Sequence, residues 1–162
     1  MILTAFTIFH VVLSLLGIGS GFVVVYGLLA SKKLEGWTKL FLSTTVATSL
    51  TGFMFPAHKL TPGQVVGILS LIALTIAILA RYRYGLAGGW RRAYAISAVI
   101  ALYFNFFVLI AQLFNKVPGL KALAPTESET PFQVAQLAAL LLFAYLGTRA
   151  AMRFRTEPGR AA

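Results

Sequence analysis

The stretch LTAFTIFHVVLSLLGIGSGFVVVYGLL, residues 3–29, decides the class of fold. It carries no charged residue and is longer than the roughly 20 apolar residues that cross a bilayer. It also lacks a basic segment in front of it and exceeds the apolar core of about 7–15 residues typical of a signal peptide, so it is predicted to be a retained membrane helix. Of the 162 residues, 59% are hydrophobic and 11% are charged, whereas about 25% are charged in an ordinary soluble domain. The composition therefore predicts an all-α, polytopic membrane helical bundle.

Five apolar stretches without charge follow one another along the chain, separated by short polar segments. They cover residues 3–29, 40–55, 65–80, 93–114 and 132–148. The second stretch is rich in serine and threonine, but hydroxyls can bond to the preceding helical turn and so cost little in lipid. We predict five transmembrane helices in a single domain, residues 1–152, followed by a short basic cytoplasmic tail, residues 153–162.

The cations predict an orientation. One set of connections holds eleven of them: Lys32, Lys33, Lys39, Arg81, Arg83, Arg91, Arg92, Arg149, Arg153, Arg155 and Arg160. The other set holds three, Lys59, Lys116 and Lys121. By the positive-inside rule the N-terminus lies outside and the C-terminus in the cytoplasm, which an odd number of spans requires. The predicted location is the bacterial inner membrane.

The scarcity of reactive side chains excludes several functions. The chain has no cysteine, two histidines and four acidic residues, so disulfides, thiolate metal sites, iron–sulfur clusters and covalent c-type haem are excluded. All four acids are glutamates outside the apolar stretches, which leaves no intramembrane carboxylate for a proton relay. No phosphate-loop, zinc-protease, nucleophile-elbow or dinucleotide motif is present. No catalytic residue is predicted, and enzyme activity is not favoured.

The first stretch carries a polar and small-residue face. His10, Ser14, Gly17 and Gly21 follow at steps of four, three and four residues, which places them along one side of a helix. Small residues let membrane helices approach closely, so this face is predicted to pack against another helix, in the monomer or in a homo-oligomer. His10 is thereby predicted to lie between helices. With His58 it is the only pair that could ligate a metal or haem b, or bond to a quinone; the alternative is two histidines that need no ligand.

A second polar set lies toward the predicted outer side. Its members are Tyr103, Asn105, Gln112, Gln136, Glu127 and Glu129. Asn105 and Gln112 are seven residues apart and so share a helix face. One interpretation is a patch that binds a small ligand or a lipid headgroup; the other is hydrogen bonding between helices, which buried amides require.

The segment RYRYGLAGGWRR, residues 81–92, alternates basic and aromatic side chains. Arginines interleaved with aromatic residues can bind nucleic acid. Directly beside membrane spans, however, Arg81, Arg83, Arg91 and Arg92 are typical of cations that reach the interface and bind anionic lipid headgroups. We therefore predict a lipid contact and no nucleic-acid partner.

Three segments, HVVLSLLGIGSGFVVVYGLL (10–29), TSLTGFMFPAHK (48–59) and LKALAPTESETPFQVAQ (120–136), together resemble a group of small inner-membrane proteins common in proteobacteria. The resemblance covers most of the chain. It implies location and architecture only, because no activity is assigned to that group.

Three functional hypotheses follow. The first is a non-enzymatic accessory subunit or lipid- or small-ligand-binding bundle, without a cofactor, that uses the outer polar set and acts alone, as a homo-oligomer or in a larger membrane complex. The second is a redox protein that holds haem b or quinone between His10 and His58. The third is a transporter or channel with a path along the Ser/Thr face of the second helix and Asn105.

Overall fold

The computed structural model describes residues 1–155, and all regular structure within them is helical. The helices are α1 (Ile2–Leu29), α2 (Glu35–Gly52), α3 (Pro62–Ile78), α4 (Trp90–Lys116), α5 (Pro118–Leu123) and α6 (Thr130–Arg153). A π-helical turn, Leu79–Arg83, continues α3 directly. The prediction of an all-α bundle is confirmed. Arg160 and the remainder of the predicted tail from residue 156 onward lie outside the described residues.

Local sequence signals mark the beginnings of α3 and α6. The side chain of Thr61 accepts a hydrogen bond from the Gln64 backbone N–H, and the Gln64 side chain bonds back to the Thr61 N–H, which forms a capping box before α3. Pro62 and Pro131 stand in the first turns of α3 and α6, where a missing N–H is harmless.

The second helix is displaced from its predicted position. Residues 40–55 were expected, whereas α2 covers Glu35–Gly52. A helix needs only backbone pairing and not apolar residues, so α2 begins in the polar segment, with the Thr38 N–H bonded to the Leu34 carbonyl. It ends before Pro56 because the Phe53 N–H bonds to Leu50, three residues back, and closes a tighter turn.

Consecutive long helices pack antiparallel, and α4 lies at the centre of the bundle. It contacts α1, α2, α3 and α6, while α1 packs mainly on α2. The core holds Leu28, Phe41, Leu74, Tyr94, Leu102 and Phe143. Because the connections join the long helices at alternate ends, helices that follow one another in the chain run in opposite directions.

Within residues 1–155, four helical segments are long and apolar enough to cross a membrane: Ile2–Leu29, Pro62–Arg83, Trp90–Lys116 and Thr130–Arg153. α2 is not among them. Large apolar side chains cover the outside of these helices, for example Leu15, Ile72 and Leu141, each about half exposed. An exposed apolar surface of this extent, on helices long enough to cross a bilayer, indicates contact with membrane lipid. The protein is a multi-pass membrane protein built as a helical bundle.

The topology sorts the cations by end of the bundle. We call the end formed by residues 30–34, 84–89 and 154–155 the basic end. It gathers Lys32, Lys33, Lys39, Arg81, Arg83, Arg91, Arg92, Arg149, Arg153 and Arg155. The opposite end holds Lys59, Lys116 and Lys121. The charge pattern of the sequence thus corresponds to two physical ends of the molecule.

Candidate functional site

The two glycines of the first helix lie where α1 meets α2 and α4. A Cβ atom on Gly17 would stand 3.0 Å from Thr45 Oγ1 and 3.1 Å from Asn105 Nδ2. On Gly21 it would stand 2.5 Å from Leu102 Cδ1 and 3.0 Å from the Phe41 ring. The predicted small-residue face is therefore used inside the single chain, because only glycine permits this approach.

Asn105 joins α4 to α1 through hydrogen bonds. The Ser14 hydroxyl donates to Asn105 Oδ1 at 2.7 Å, and Asn105 Nδ2 donates to the Ser14 carbonyl at 3.4 Å. Asn105 is buried. Its amide is satisfied by protein groups, which is the interhelical role that the sequence left open.

Thr45 beside this pair is buried, and its hydroxyl has no hydrogen-bond partner within residues 1–155. We expect Thr45→Val to raise the free energy of unfolding by about 1 kcal/mol, because an isosteric methyl removes an unsatisfied polar atom. Thr44→Val is the matched control, since the Thr44 hydroxyl donates to the Leu40 carbonyl at 2.7 Å, and it should lower stability slightly. Chemical denaturation in detergent measures both, and equal losses in the two variants would contradict the assignment.

His10 is half-buried between α1 and α2. Its Nδ1 lies 2.7 Å from Thr51 Oγ1, and its ring meets the Phe55 ring edge-on at 5.1 Å between centroids. His58 lies exposed in the connection between α2 and α3. The contacts of His10 are thus with Thr51 and Phe55 and not with His58. Within residues 1–155 no group of three or more His, Asp or Glu side chains is arranged to hold a metal ion.

The residues of the predicted outer polar set lie in different environments. Asn105 bonds to α1, and Gln136 Nε2 on α6 donates to the Phe107 carbonyl at 3.1 Å. Tyr103 packs between Phe107 and Phe143. Gln112 is exposed and Glu127 is partly exposed, each in a different part of the surface. The structure does not bring these side chains together into one pocket.

Glu129 belongs to a local turn before α6. Its carboxylate accepts hydrogen bonds from the Thr126 hydroxyl at 2.8 Å and from the Thr126 and Ser128 backbone N–H groups. Desolvation is the largest single influence and raises the pKa of Glu129, but these bonds together outweigh it and place that pKa below its ordinary value. The charge of Glu129 thus holds the turn at the start of α6.

An apolar groove of about 620 Å³ lies between α4 and α6. We call it the α4–α6 groove; it is lined by Arg92, Ile96, Val99, Ile100, Tyr103, Leu140, Phe143, Ala144, Gly147, Thr148, Ala151 and Met152. From Arg92 at the basic end to Tyr103, the helical rise gives a length of roughly 16 Å. That is about half of a hydrocarbon core roughly 30 Å thick.

The groove is open because the side chains on one side of α6 are small. Ala144, Gly147 and Ala151 recur at helical spacing on the side of α6 that faces the groove, and a Cβ on Gly147 would touch Val99 at 3.5 Å. That spacing is visible in the sequence and is the signal by which the groove could have been found. Tyr103 and Arg92 were predicted as ligand and headgroup residues, respectively, and the structure puts both at this groove.

A charged cluster lies at the basic end. Arg81 Nη2 bonds to Glu35 Oε1 at 2.7 Å and to the Lys33 carbonyl at 3.0 Å. The Arg81 guanidinium carbon lies 5.1 Å from the centroid of the Tyr94 ring, and the Tyr94 hydroxyl lies 3.5 Å from Thr38 Oγ1. The cluster therefore links the connection before α2 to the ends of α3 and α4.

The burial of Arg81 is unlike that of its neighbours in the basic segment. Arg83 and Arg92 are exposed and Arg91 is partly exposed, as expected for cations at an interface, whereas the Arg81 side chain is 3% exposed. Arg81 continues the buried stripe of α3, which consists of Ser70, Ala73, Leu74, Ala77 and Ala80. That register was available from the sequence and marks Arg81 as inward-facing.

No protein-family model, no curated protein and no solved structure matches this chain. The class of the protein rests on its fold and composition: it is a helical bundle whose long apolar helices are those of a membrane protein.

Proposed function

We propose that this protein is a five-span bacterial inner-membrane protein, N-terminus outside and C-terminus in the cytoplasm, that binds an anionic phospholipid without catalysing a reaction. The α4–α6 groove carries the proposal. It is apolar along its length and ends at a cation, and this combination fits an amphipathic ligand.

The fifth span is α2. Its 18 residues give a length of about 27 Å, and it lies antiparallel to α1 with Phe41, Thr45 and Ser49 buried in the bundle. Four of its hydroxyls bond to its own backbone, as Ser43, Thr44, Thr48 and Thr51 each donate to the carbonyl four residues earlier. With α2 counted, the chain crosses the membrane five times, so its two termini lie on opposite sides. The positive-inside rule then places the basic end of the bundle in the cytoplasm.

The proposed ligand occupies one leaflet. The groove extends from the basic end to mid-bundle, so its depth matches a single acyl chain of the cytoplasmic leaflet. Arg92 is exposed at the mouth of the groove, and Arg149 and Arg153 lie on the last turns of α6 at the same end. Cations at this level attract the phosphate of an anionic lipid.

The test is native mass spectrometry of the purified protein after incubation with equal amounts of phosphatidylglycerol and phosphatidylcholine. We expect preferential retention of phosphatidylglycerol, about tenfold less in Ala144→Phe, which fills the groove, and loss of the preference in Arg92→Gln. The matched control is Ala138→Phe, because Ala138 is exposed on α6 outside the groove. Equal retention by Ala144→Phe and Ala138→Phe would overturn the proposal.

A further inference from the structure

The Arg81 guanidinium has more N–H donors than there are hydrogen-bond acceptors around it within residues 1–155. One of its nitrogens, Nη2, bonds to Glu35 and to the Lys33 carbonyl. The other two, Nε and Nη1, are buried and have no hydrogen-bond partner within residues 1–155. A buried guanidinium without acceptors is unfavourable, and buried charges are ordinarily paired at every donor. The site is therefore built for more acceptor oxygens than Glu35 supplies.

Arg91 contributes a third unsatisfied nitrogen at the same end. Its Nη1 is buried without a partner within the described residues. Arg91 stands in the first turn of α4, three residues before Tyr94, whose ring packs against Arg81. Residues three apart share a helix face, so Arg91 lies on the side of α4 that carries Tyr94, the residue that contacts Arg81.

The local charge is uncompensated. Residues 1–155 contain three acidic side chains. Glu127 and Glu129 lie at the opposite end of the bundle, so among these three only Glu35 lies at the basic end. The Glu35 side chain is 59% exposed, while that of Arg81 is 3% exposed. Glu35 can therefore swing into solvent without leaving the helix, whereas Arg81 is fixed.

We infer that Arg81 and Arg91 form a binding site for a phosphate group, either inorganic phosphate or the phosphate of an anionic lipid headgroup, and that Glu35 occupies Arg81 when the site is empty. Guanidinium forks match phosphate oxygens. A tetrahedral oxyanion presents acceptors in several directions, which suits donors that arrive from two helices. Neither arginine lines the α4–α6 groove, so the site is independent of the proposed lipid groove.

The experiment measures binding of two probes to the full-length protein in a neutral detergent: inorganic phosphate at constant ionic strength, and dihexanoyl phosphatidylglycerol below its micelle concentration. Isothermal calorimetry gives the Kd for each. We expect Glu35→Gln to bind the preferred probe about tenfold more tightly than the wild type, because the competing carboxylate is gone. We expect Arg81→Lys to bind it about tenfold more weakly, and the exposed control Arg83→Lys to leave the Kd unchanged.

The two probes separate the sources of the phosphate. Binding of inorganic phosphate identifies a free anion, and binding of the lipid alone identifies a headgroup; both support the site. An affinity in Glu35→Gln equal to or weaker than that of the wild type for both probes overturns the inference. This result does not depend on Arg81→Lys, so a failure of that variant to fold leaves the inference testable.

Discussion

Gly21→Ala should lower the free energy of unfolding by about 1–3 kcal/mol, the range for inserting a methyl group into a packed core. The new Cβ would lie 2.5 Å from Leu102 Cδ1 and 3.0 Å from two carbons of the Phe41 ring. Leu102 and Phe41 are 0% and 1% exposed, so neither has free space into which to retreat. Unfolding by a denaturing detergent, followed by helical circular dichroism, measures the loss.

Gly19→Ala is the matched control on the same helix. No atom outside its own helix lies within 4 Å of the position of the added Cβ, and alanine has the higher helix propensity. Gly19→Ala is expected to be neutral or slightly stabilising. In the double variant Gly21→Ala/Leu102→Ala, the loss should be smaller than the sum of the single losses, because the shortened side chain makes room for the methyl group. If Gly21→Ala and Gly19→Ala change the free energy of unfolding by the same amount, the close approach of α1 to α4 at Gly21 is contradicted.

Tyr94→Ala is expected to lower the free energy of unfolding by about 3–5 kcal/mol, as for other large aromatic residues in a core. Tyr94 is 1% exposed and packs against Phe154, with ring centroids 5.9 Å apart, as well as beneath the Arg81 guanidinium. Removing the ring leaves a cavity and uncovers one face of a buried cation. The same denaturation assay measures the change.

Tyr94→Phe separates the ring from the hydroxyl. The ring still packs on Arg81 and Phe154, and the variant loses the 3.5 Å contact of the hydroxyl with Thr38, which is long for an O–H···O bond, and the weak interaction of the hydroxyl with Arg81. We expect a loss below about 1 kcal/mol. A loss in Tyr94→Phe comparable with that in Tyr94→Ala would mean that the hydroxyl, and not the packing of the ring, stabilises the basic end.

The positions of individual helices could be predicted from the sequence better than the contacts between helices. α1 was predicted at residues 3–29 and is found at Ile2–Leu29, because an uninterrupted apolar stretch leaves little choice of boundary. α2 was misplaced by several residues because hydropathy marks the part that tolerates lipid and not the part that forms backbone hydrogen bonds. Its N-terminal turn, around Glu35, is polar and still helical.

The groove and the charged cluster depend on which faces meet, and this is a tertiary property. Arg81 was predicted to reach the lipid interface with its neighbours in the basic segment, as its position beside a span suggests. Its burial follows from the register of α3 and from Glu35, which is 46 positions earlier in the sequence. Nothing local to Arg81 specifies that partner.

The outer polar residues show the same limit. The seven-residue spacing of Asn105 and Gln112 places them on one face, but α1 reaches only Asn105, through Ser14, while Gln112 stays exposed. Spacing predicts which side a residue occupies. It does not predict how far along that side a neighbouring helix extends.

Several hydroxyls of α2 donate hydrogen bonds to the backbone of the same helix, and this affects how α2 could enter a membrane. On the proposed five-span topology, the hydroxyls of Ser43, Thr44 and Thr48 are paired with the backbone of α2, yet α2 lacks the hydropathy of the four strongly apolar segments. Its insertion must then draw on α1, to which only residues 30–34 connect it. The two helices would then enter the bilayer as one hairpin, and the information for inserting α2 would reside largely in α1.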